Sequence, residues 1–323
     1  MPGNPVIKHT PTTMETAMKK ALTALALSTA TLVAFTAPAS AQELSKLKIG
    51  MSFQEMNNPY FVSMKKALDD AAKSFGAKVI VTDAAHNVAK QIADIEDMLQ
   101  QNIDILLINP TDSAGVEAAV KAAKARNVIV VAVDANASGP VDMFVGSKNK
   151  DAGYQSCRAL ADAIGGKGEV AILDGIPVVP ILQRVEGCKQ ALGEYKDIKL
   201  VATQNGRQDR SVALGVVENM IQSRPNLKGI FSVNDGGAMG ALAAIQGSGK
   251  DIKLTSVDGA PEAVKAIADG GPFIETTAQF PRDQVRVGLA MALAKKWGAR
   301  VVPKEVPIDV MPVTKKNAAG FSW

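Results

Sequence analysis

From residue 47 onward, short runs of aliphatic and β-branched residues alternate with longer segments of helical period. The runs occupy residues 47–52, 78–82, 103–108, 128–133, 169–173, 199–203, 229–233, 253–257 and 273–278. Ile105-Leu106-Leu107-Ile108 has no polar position, as a parallel strand covered on both faces requires. Between the runs, apolar residues recur at helical spacing, as in Phe61, Met64, Leu68, Ala71 and in Ile92, Ile95, Leu99. Asn58 before Pro59, Asn87 after His86, and Asp112-Ser113 after Pro110 read as helix starts. Strand and helix alternating at intervals of about 25 residues predict βαβ units and an α/β fold of doubly wound parallel sheets.

Four units run to about residue 133, and a short strand at 143–146 leads into a second series that ends near 278. A helix at 282–297 and one closing strand at 307–310 follow. The last helix can rejoin the first series. That gives two doubly wound parallel-sheet lobes, 44–147 plus 280–309 and 148–279 plus 310–323, joined by a multi-strand hinge.

The start of the chain reads as an address. Met18-Lys19-Lys20 opens a positive segment, residues 21–37 carry no charge, and Pro38-Ala39-Ser40-Ala41 supplies small residues. This is the pattern of an export signal cleaved between Ala41 and Gln42. A membrane anchor is the other reading, but the run is shorter than the ~20 residues a span needs. Residues 1–17 read as an upstream extension, and the mature chain is expected in a bacterial periplasm.

Composition narrows the function classes. The chain has 323 residues, 47% of them hydrophobic, and a formal charge of +4 from 36 basic and 32 acidic residues. With the signs mixed along the sequence there is no basic stripe, and nucleic acid is not an expected partner. Two cysteines, Cys157 and Cys188, cannot staple a small fold. Export permits a bridge between them, and two buried free thiols fit the sequence equally well. One histidine, His86, follows residue 41, and no Cys/His cluster has ligand spacing, so neither metal nor cofactor is expected.

In open α/β sheets ligands bind beyond the carboxyl ends of the strands. Those ends read Gln54, Asp83, Asn109, Asp134, Asp174, Asn205, Asn234, Asp258 and Gln279, all carboxylates or carboxamides. Such residues also favour turns and helix caps. As a rim, however, they suit a neutral polyhydroxylated ligand. A phosphate site would show a glycine-rich turn with Lys or Arg after a strand. Gly165-Gly166-Lys167-Gly168 instead ends a helix and precedes a strand, as a C-cap turn does. No G-x-G-x-x-G follows the first strand, no serine elbow accompanies His86, and no tight acidic pair stands out. Enzymatic chemistry is therefore not expected, and no catalytic residue is assigned.

Asn57-Asn58-Pro59-Tyr60-Phe61, Ile108-Asn109-Pro110-Thr111-Asp112 and Val233-Asn234-Asp235 together resemble the ribose-binding branch of periplasmic sugar-binding proteins. The resemblance runs in order along essentially the whole mature chain. It implies a solute-binding protein of the type I fold that closes on a sugar or polyol and presents it to an ABC importer permease. A receptor feeding a chemoreceptor or sensor kinase is the alternative, and a monomer is expected. Carried over by position, the ligand contacts would be Asn58, Tyr60, Phe61, Asn109, Asp134 and Ser147 from the first lobe. Arg184, Gln208, Asn234, Asp258 and Gln279 would contribute from the second lobe and its crossings.

For several of these a structural role is also open: core packing for Tyr60 and Phe61, a surface helix position for Arg184, and a cap at 259–269 for Asp258. The chain also departs from the family. Ala135 follows Asp134 where an arginine is common, Gln208 stands where a second-lobe aromatic would sandwich the ring, and Val257 precedes Asp258. Residues 175–180 are unusually apolar for a cleft loop. The expected ligand therefore extends beyond ribose to other pentoses and monosaccharides, inositol and sugar alcohols. A DNA-binding repressor with the same module would need a helix-turn-helix where the export signal stands.

Overall fold

The computed structural model describes residues 1–3 and 44–323; the expected export signal lies outside the described residues. The first series is β1 (Lys48–Phe53), α1 (Pro59–Ser74), β2 (Lys78–Asp83), α2 (Val88–Gln100), β3 (Ile105–Ile108), α3 (Glu117–Ala125), β4 (Ile129–Val133) and β5 (Met143–Ser147). The second begins with α4 (Asn149–Ala163), β6 (Lys167–Asp174), α5 (Val179–Leu192), β7 (Asp197–Asn205) and α6 (Arg210–Ser223). It continues through β8 (Leu227–Ser232), α7 (Asp235–Ser248), β9 (Lys253–Asp258), α8 (Pro261–Asp269) and β10 (Phe273–Ala278). The chain closes with α9 (Pro281–Lys296), β11 (Glu305–Ile308) and β12 (Met311–Thr314).

Two six-stranded sheets result, ordered β2-β1-β3-β4-β5-β11 and β7-β6-β8-β9-β10-β12. Every adjacent pair is parallel except β10 with β12. The continuous apolar runs are explained by cover on both faces. Ile105 and Leu107 join the core under α1 and α9, whereas Leu106 and Ile108 join the core under α2 and α3. In the second sheet Val170 and Ile172 pack toward α4 and α5, and Ala171 and Leu173 toward α6, α7 and α8.

The expected single strand at 307–310 is two strands, one in each sheet. β11 pairs with β5, β12 pairs with β10, and Asp309-Val310 passes between them. Pro307 and Pro312 cannot complete a central ladder, so both strands sit at sheet edges. The helix start expected at Asp112-Ser113 falls later, at Glu117. Asp112 Oδ1 accepts from the N–H groups of Ala114 (2.9 Å) and Gly115 (2.8 Å), holding a turn ahead of the helix. Asn58 and Asn87 cap α1 and α2 through the N–H groups of Tyr60 and Lys90.

The chain passes between the sheets three times, after Ser147, after Ala278 and after Ile308. The first and third passes are stitched together: Lys148 N–H donates to Ile308 O at 2.9 Å, and Lys148 Nζ lies 2.5 Å from Asp309 Oδ1. Cys157 and Cys188 form a disulfide between α4 and α5 with Cα atoms 5.0 Å apart. On the same interface, a Cβ on Gly187 would meet Lys150 O at 1.9 Å, and one on Gly153 would meet Arg184 O at 1.9 Å. The two backbones touch there, and no larger residue fits.

Gly187→Ala is therefore expected to lower stability by at least the ~1–3 kcal/mol typical of overpacking, read as a lower urea midpoint. Gly215→Ala, in α6 with nothing near its Cβ direction, should raise stability by about 0.4–1 kcal/mol.

Candidate ligand-binding site

An aspartate with positive φ, in the left-handed region, follows or closes the fourth strand of each series: Asp134 just after β4 at φ 67° and Asp258 at the end of β9 at φ 137°. Such conformations cost on the order of 1–3 kcal/mol in a non-glycine residue and persist only where surroundings enforce them. Both aspartates are buried, and they face one another across the gap between the sheets.

On the first lobe, Asp134 accepts from neutral donors. Tyr60 Oη donates to its Oδ1 at 3.0 Å and Asn109 Nδ2 to its Oδ2 at 3.0 Å. Behind them, Gln284 Nε2 donates to Tyr60 Oη (2.9 Å) and to Ser147 Oγ (2.7 Å), tying α9 and the end of β5 to α1. Gln91 Nε2 bonds Ser52 Oγ and Asn109 O, fixing the loop that carries Asn109. Burial pushes the Asp134 carboxyl up to about 6, against the lowering influence of Arg184 and of the Tyr60 hydroxyl. Burial and the neighbouring Asp134 charge push the Tyr60 phenol well above its usual value.

On the second lobe the centre is Arg184, 3% exposed. Its Nε donates to Asn149 Oδ1 (2.9 Å), and its Nη1 to Val233 O (2.7 Å) and Asp258 Oδ1 (3.2 Å). Gln279 Nε2 also donates to Asp258 Oδ1, at 2.8 Å. Burial raises the Asp258 carboxyl, and Arg184 opposes that shift. The α4–α5 contact carries Arg184 to this place, with Asn149 at the start of one helix and Arg184 on the next.

Between these groups lies a cavity of about 20 Å³, room for about one water molecule. Gln54, Asn58, Tyr60, Phe61 and Asp134 line one side; Val178, Pro180, Ile181, Arg184, Gln208, Asp258 and Gln279 line the other. Past Asn58 and Gln208 it adjoins a wider opening of about 840 Å³ with His86, Glu55, Arg207 and Glu262 around it. Gln54 Oε1 and Gln279 Oε1 are buried and have no hydrogen-bond partner.

Residues 49–298 match the family model described as a periplasmic binding protein domain. The chain belongs to the periplasmic binding protein family. It is 38% identical over 245 residues to the ribose import binding protein RbsB of Bacillus subtilis (strain 168), covering 76% of this chain and 80% of that one. A solute binding protein of an ABC transporter from Actinobacillus succinogenes 130z, solved with bound D-allose, superposes with a TM-score of 0.80 at 30% identity. That match covers 85% of this chain and all of the other. The myo-inositol binding protein of Caulobacter, bound to myo-inositol, gives a TM-score of 0.80 at 27% identity over 89% of this chain and 98% of its own.

Within this periplasmic binding protein, eight of the expected contacts line the cavity: Asn58, Tyr60, Phe61, Asp134, Arg184, Gln208, Asp258 and Gln279. Asn109 and Ser147 stand behind them, holding Asp134 and Gln284. Asn234 caps α7 by accepting from Gly237 N–H at 3.0 Å, and its Nδ2 reaches Gln208 O at 3.4 Å. Arg184 is not a surface residue, and Asp258 does not cap α8, whose N-cap is Ala260. Gln208 is placed by Gly175, whose Cβ direction meets the Gln208 side chain at 2.6 Å, and by Ile176 N–H donating to its Oε1 at 3.3 Å. Val178 at the end of the apolar loop, with Pro180 and Ile181 in the first turn of α5, adds aliphatic lining to the cavity that Tyr60 and Phe61 also border.

Sequence reasoning missed Asn149, Gln284 and Trp323. Asn149 and Gln284 follow crossings, a signal open to reading; Trp323, packed edge-to-face on Tyr60, has none in the periodicity. His86 pairs with Glu55 (3.0 Å) at the opening, a bond that raises the imidazole pKa.

A second layer of acids backs Asp258. Asp235 accepts from Thr276 Oγ1 (2.8 Å), Ala260 N–H (2.6 Å) and the Ser256 hydroxyl, and burial with the Asp258 charge pushes it up to about 7. Glu275 accepts from the hydroxyls of Ser156 (2.8 Å) and Thr277 (2.7 Å), and burial pushes it up to about 8.

Two outcomes follow from these burials. Removing Arg184 as Arg184→Met leaves Asp258 uncompensated and should cost about 3–5 kcal/mol, much of it recovered by adding Asp258→Asn. Glu275 ordinarily titrates near 4.5, so between there and pH 8 the folded chain holds a proton the unfolded chain has released. Its stabilising contribution is full at low pH and drains away as pH rises through 8. Urea midpoints should fall over that interval in the native protein and fall less in Glu275→Gln.

Proposed function

We propose that this chain captures a neutral sugar or polyol between its lobes and hands it unaltered to the permease of an ABC importer. The observation that carries this reading is the pair of buried, unpartnered carboxamide oxygens of Gln54 and Gln279, on residues that line the same cavity as Asp134, Arg184 and Asp258. An unmet buried acceptor costs about 1–3 kcal/mol, and a ligand hydroxyl removes that cost. The relatives named above are described as binding or importing ribose, D-allose and myo-inositol, compounds that share vicinal hydroxyls and no charge. The same class suits a floor of acceptors with one guanidinium donor.

Entry requires movement, because about 20 Å³ holds no monosaccharide. The ligand enters with the lobes apart and shifts the population toward closure because only the closed state satisfies both sets of contacts. Tyr60 and Phe61 offer ring faces to its C–H surface, and Val178, Pro180 and Ile181 add aliphatic lining. We assign the lobes to residues 44–147 plus 280–309 and 148–279 plus 310–323. The site of action is the periplasm, after cleavage between Ala41 and Gln42, with the protein monomeric.

Calorimetric titration with D-ribose, D-allose, xylitol and myo-inositol tests the reading, with recovery of the bound compound by mass spectrometry. At least one should bind and be recovered unchanged, and Asp134→Ala should weaken it by about 1.5–3 kcal/mol, the worth of hydrogen bonds to a charged acceptor. Absence of binding across the panel, or a converted product, would overturn it.

A further inference from the structure

Trp323 is, among the described residues, the side chain that packs against the cores of both lobes. Its indole Nε1–H donates to the backbone oxygen of Asp258 at 3.0 Å, an oxygen that also accepts from Gln279 N–H at 3.0 Å. Its ring meets Tyr60 edge-to-face, centroids 5.7 Å apart and planes at 84°. Asp258 belongs to the second sheet and Tyr60 to the helix after the first strand of the first sheet. The segment that carries Trp323 rests on the second lobe: β12 lies along β10, and Phe321 packs on Gly259.

From this placement we propose that Trp323 is a positioning residue that biases the two lobes toward closure and sets how long a captured ligand stays. When the lobes part, Trp323 travels with Asp258 and loses the edge of Tyr60. The contact exists only in the closed arrangement, so it adds to closure whatever the ligand contributes. It also acts on two groups of the cavity at once. The Asp258 carbonyl, at a strained φ, is held by the indole N–H, and the Tyr60 ring is held while its hydroxyl bonds Asp134. The effect on ligand affinity rests on the sugar-capture reading above; the effect on the lobes does not.

The test uses the full mature chain with Trp323→Ala, which loses both contacts, and Trp323→Phe, which keeps a ring on Tyr60 but no donor. Small-angle X-ray scattering of the ligand-free protein should give a larger radius of gyration for Trp323→Ala and an intermediate one for Trp323→Phe. For the tightest binder among D-ribose, D-allose, xylitol and myo-inositol, the dissociation constant should rise about 5- to 30-fold in Trp323→Ala, mainly through faster dissociation. A residue that merely stabilised the fold would lower the urea midpoint and leave scattering and dissociation rate unchanged, and that result overturns the proposal. If Trp323→Ala does not fold, Trp323→Phe decides by the same two readings. Should no compound bind the native protein, sugar capture falls, and scattering alone decides for or against Trp323.

Discussion

A guanidinium taken out of water needs its charge answered at once, and the second lobe is organised around that need at Arg184. Asn149, the Val233 carbonyl and Asp258 supply the answer, each from a different element, so three segments are fixed relative to one another by one side chain. Paired in this way the charge is tolerable; half of the pair alone would not be. The demand propagates outward. Asp258 must sit at a backbone angle that L-residues avoid, Gly187 and Gly153 must lack side chains so that α5 can press against α4, and the disulfide closes the same helix pair.

The first lobe meets the equivalent position by other means. An aspartate with positive φ also follows its fourth strand, but Asp134 is answered by a phenol and a carboxamide. Each sheet has the same strand order, and each places an asparagine after its third strand, Asn109 and Asn234. They are used differently, one holding a carboxylate and the other capping a helix. Two similar frames therefore present unlike chemistry: a buried carboxylate answered by a guanidinium on one side, and on the other one answered by neutral donors.

Much of this was legible in the chain. Residues 105–108 carry no polar side chain because both faces of β3 are covered, and that run, together with the strand–helix alternation, is what predicts a parallel sheet. Strand-end chemistry pointed to Asp134, Asp258 and Gln279 because turns and ligands use the same end of a sheet. Three things escaped for physical reasons. The split of the closing strand into β11 and β12 depends on edge pairing in two different sheets, which hydrophobic period does not encode. The packing that buries Arg184, a residue already expected among the contacts, depends on a helix crossing made possible by glycines that look unremarkable in sequence. The contact of Trp323 with Tyr60 spans 263 positions and is set by tertiary packing alone.

The three passes between the lobes lie side by side, since β5 borders β11 and the start of β12 borders the end of β10. Stitched backbone of this kind resists twisting and sliding far more than it resists bending about its own line. The lobe closure proposed above would then run about nearly a single angle. A molecule arriving in the gap does not have to select among many mutual orientations of the halves, and little configurational freedom is left to surrender on shutting. A transport partner that reads the outer surface would then meet only two shapes, ajar or shut.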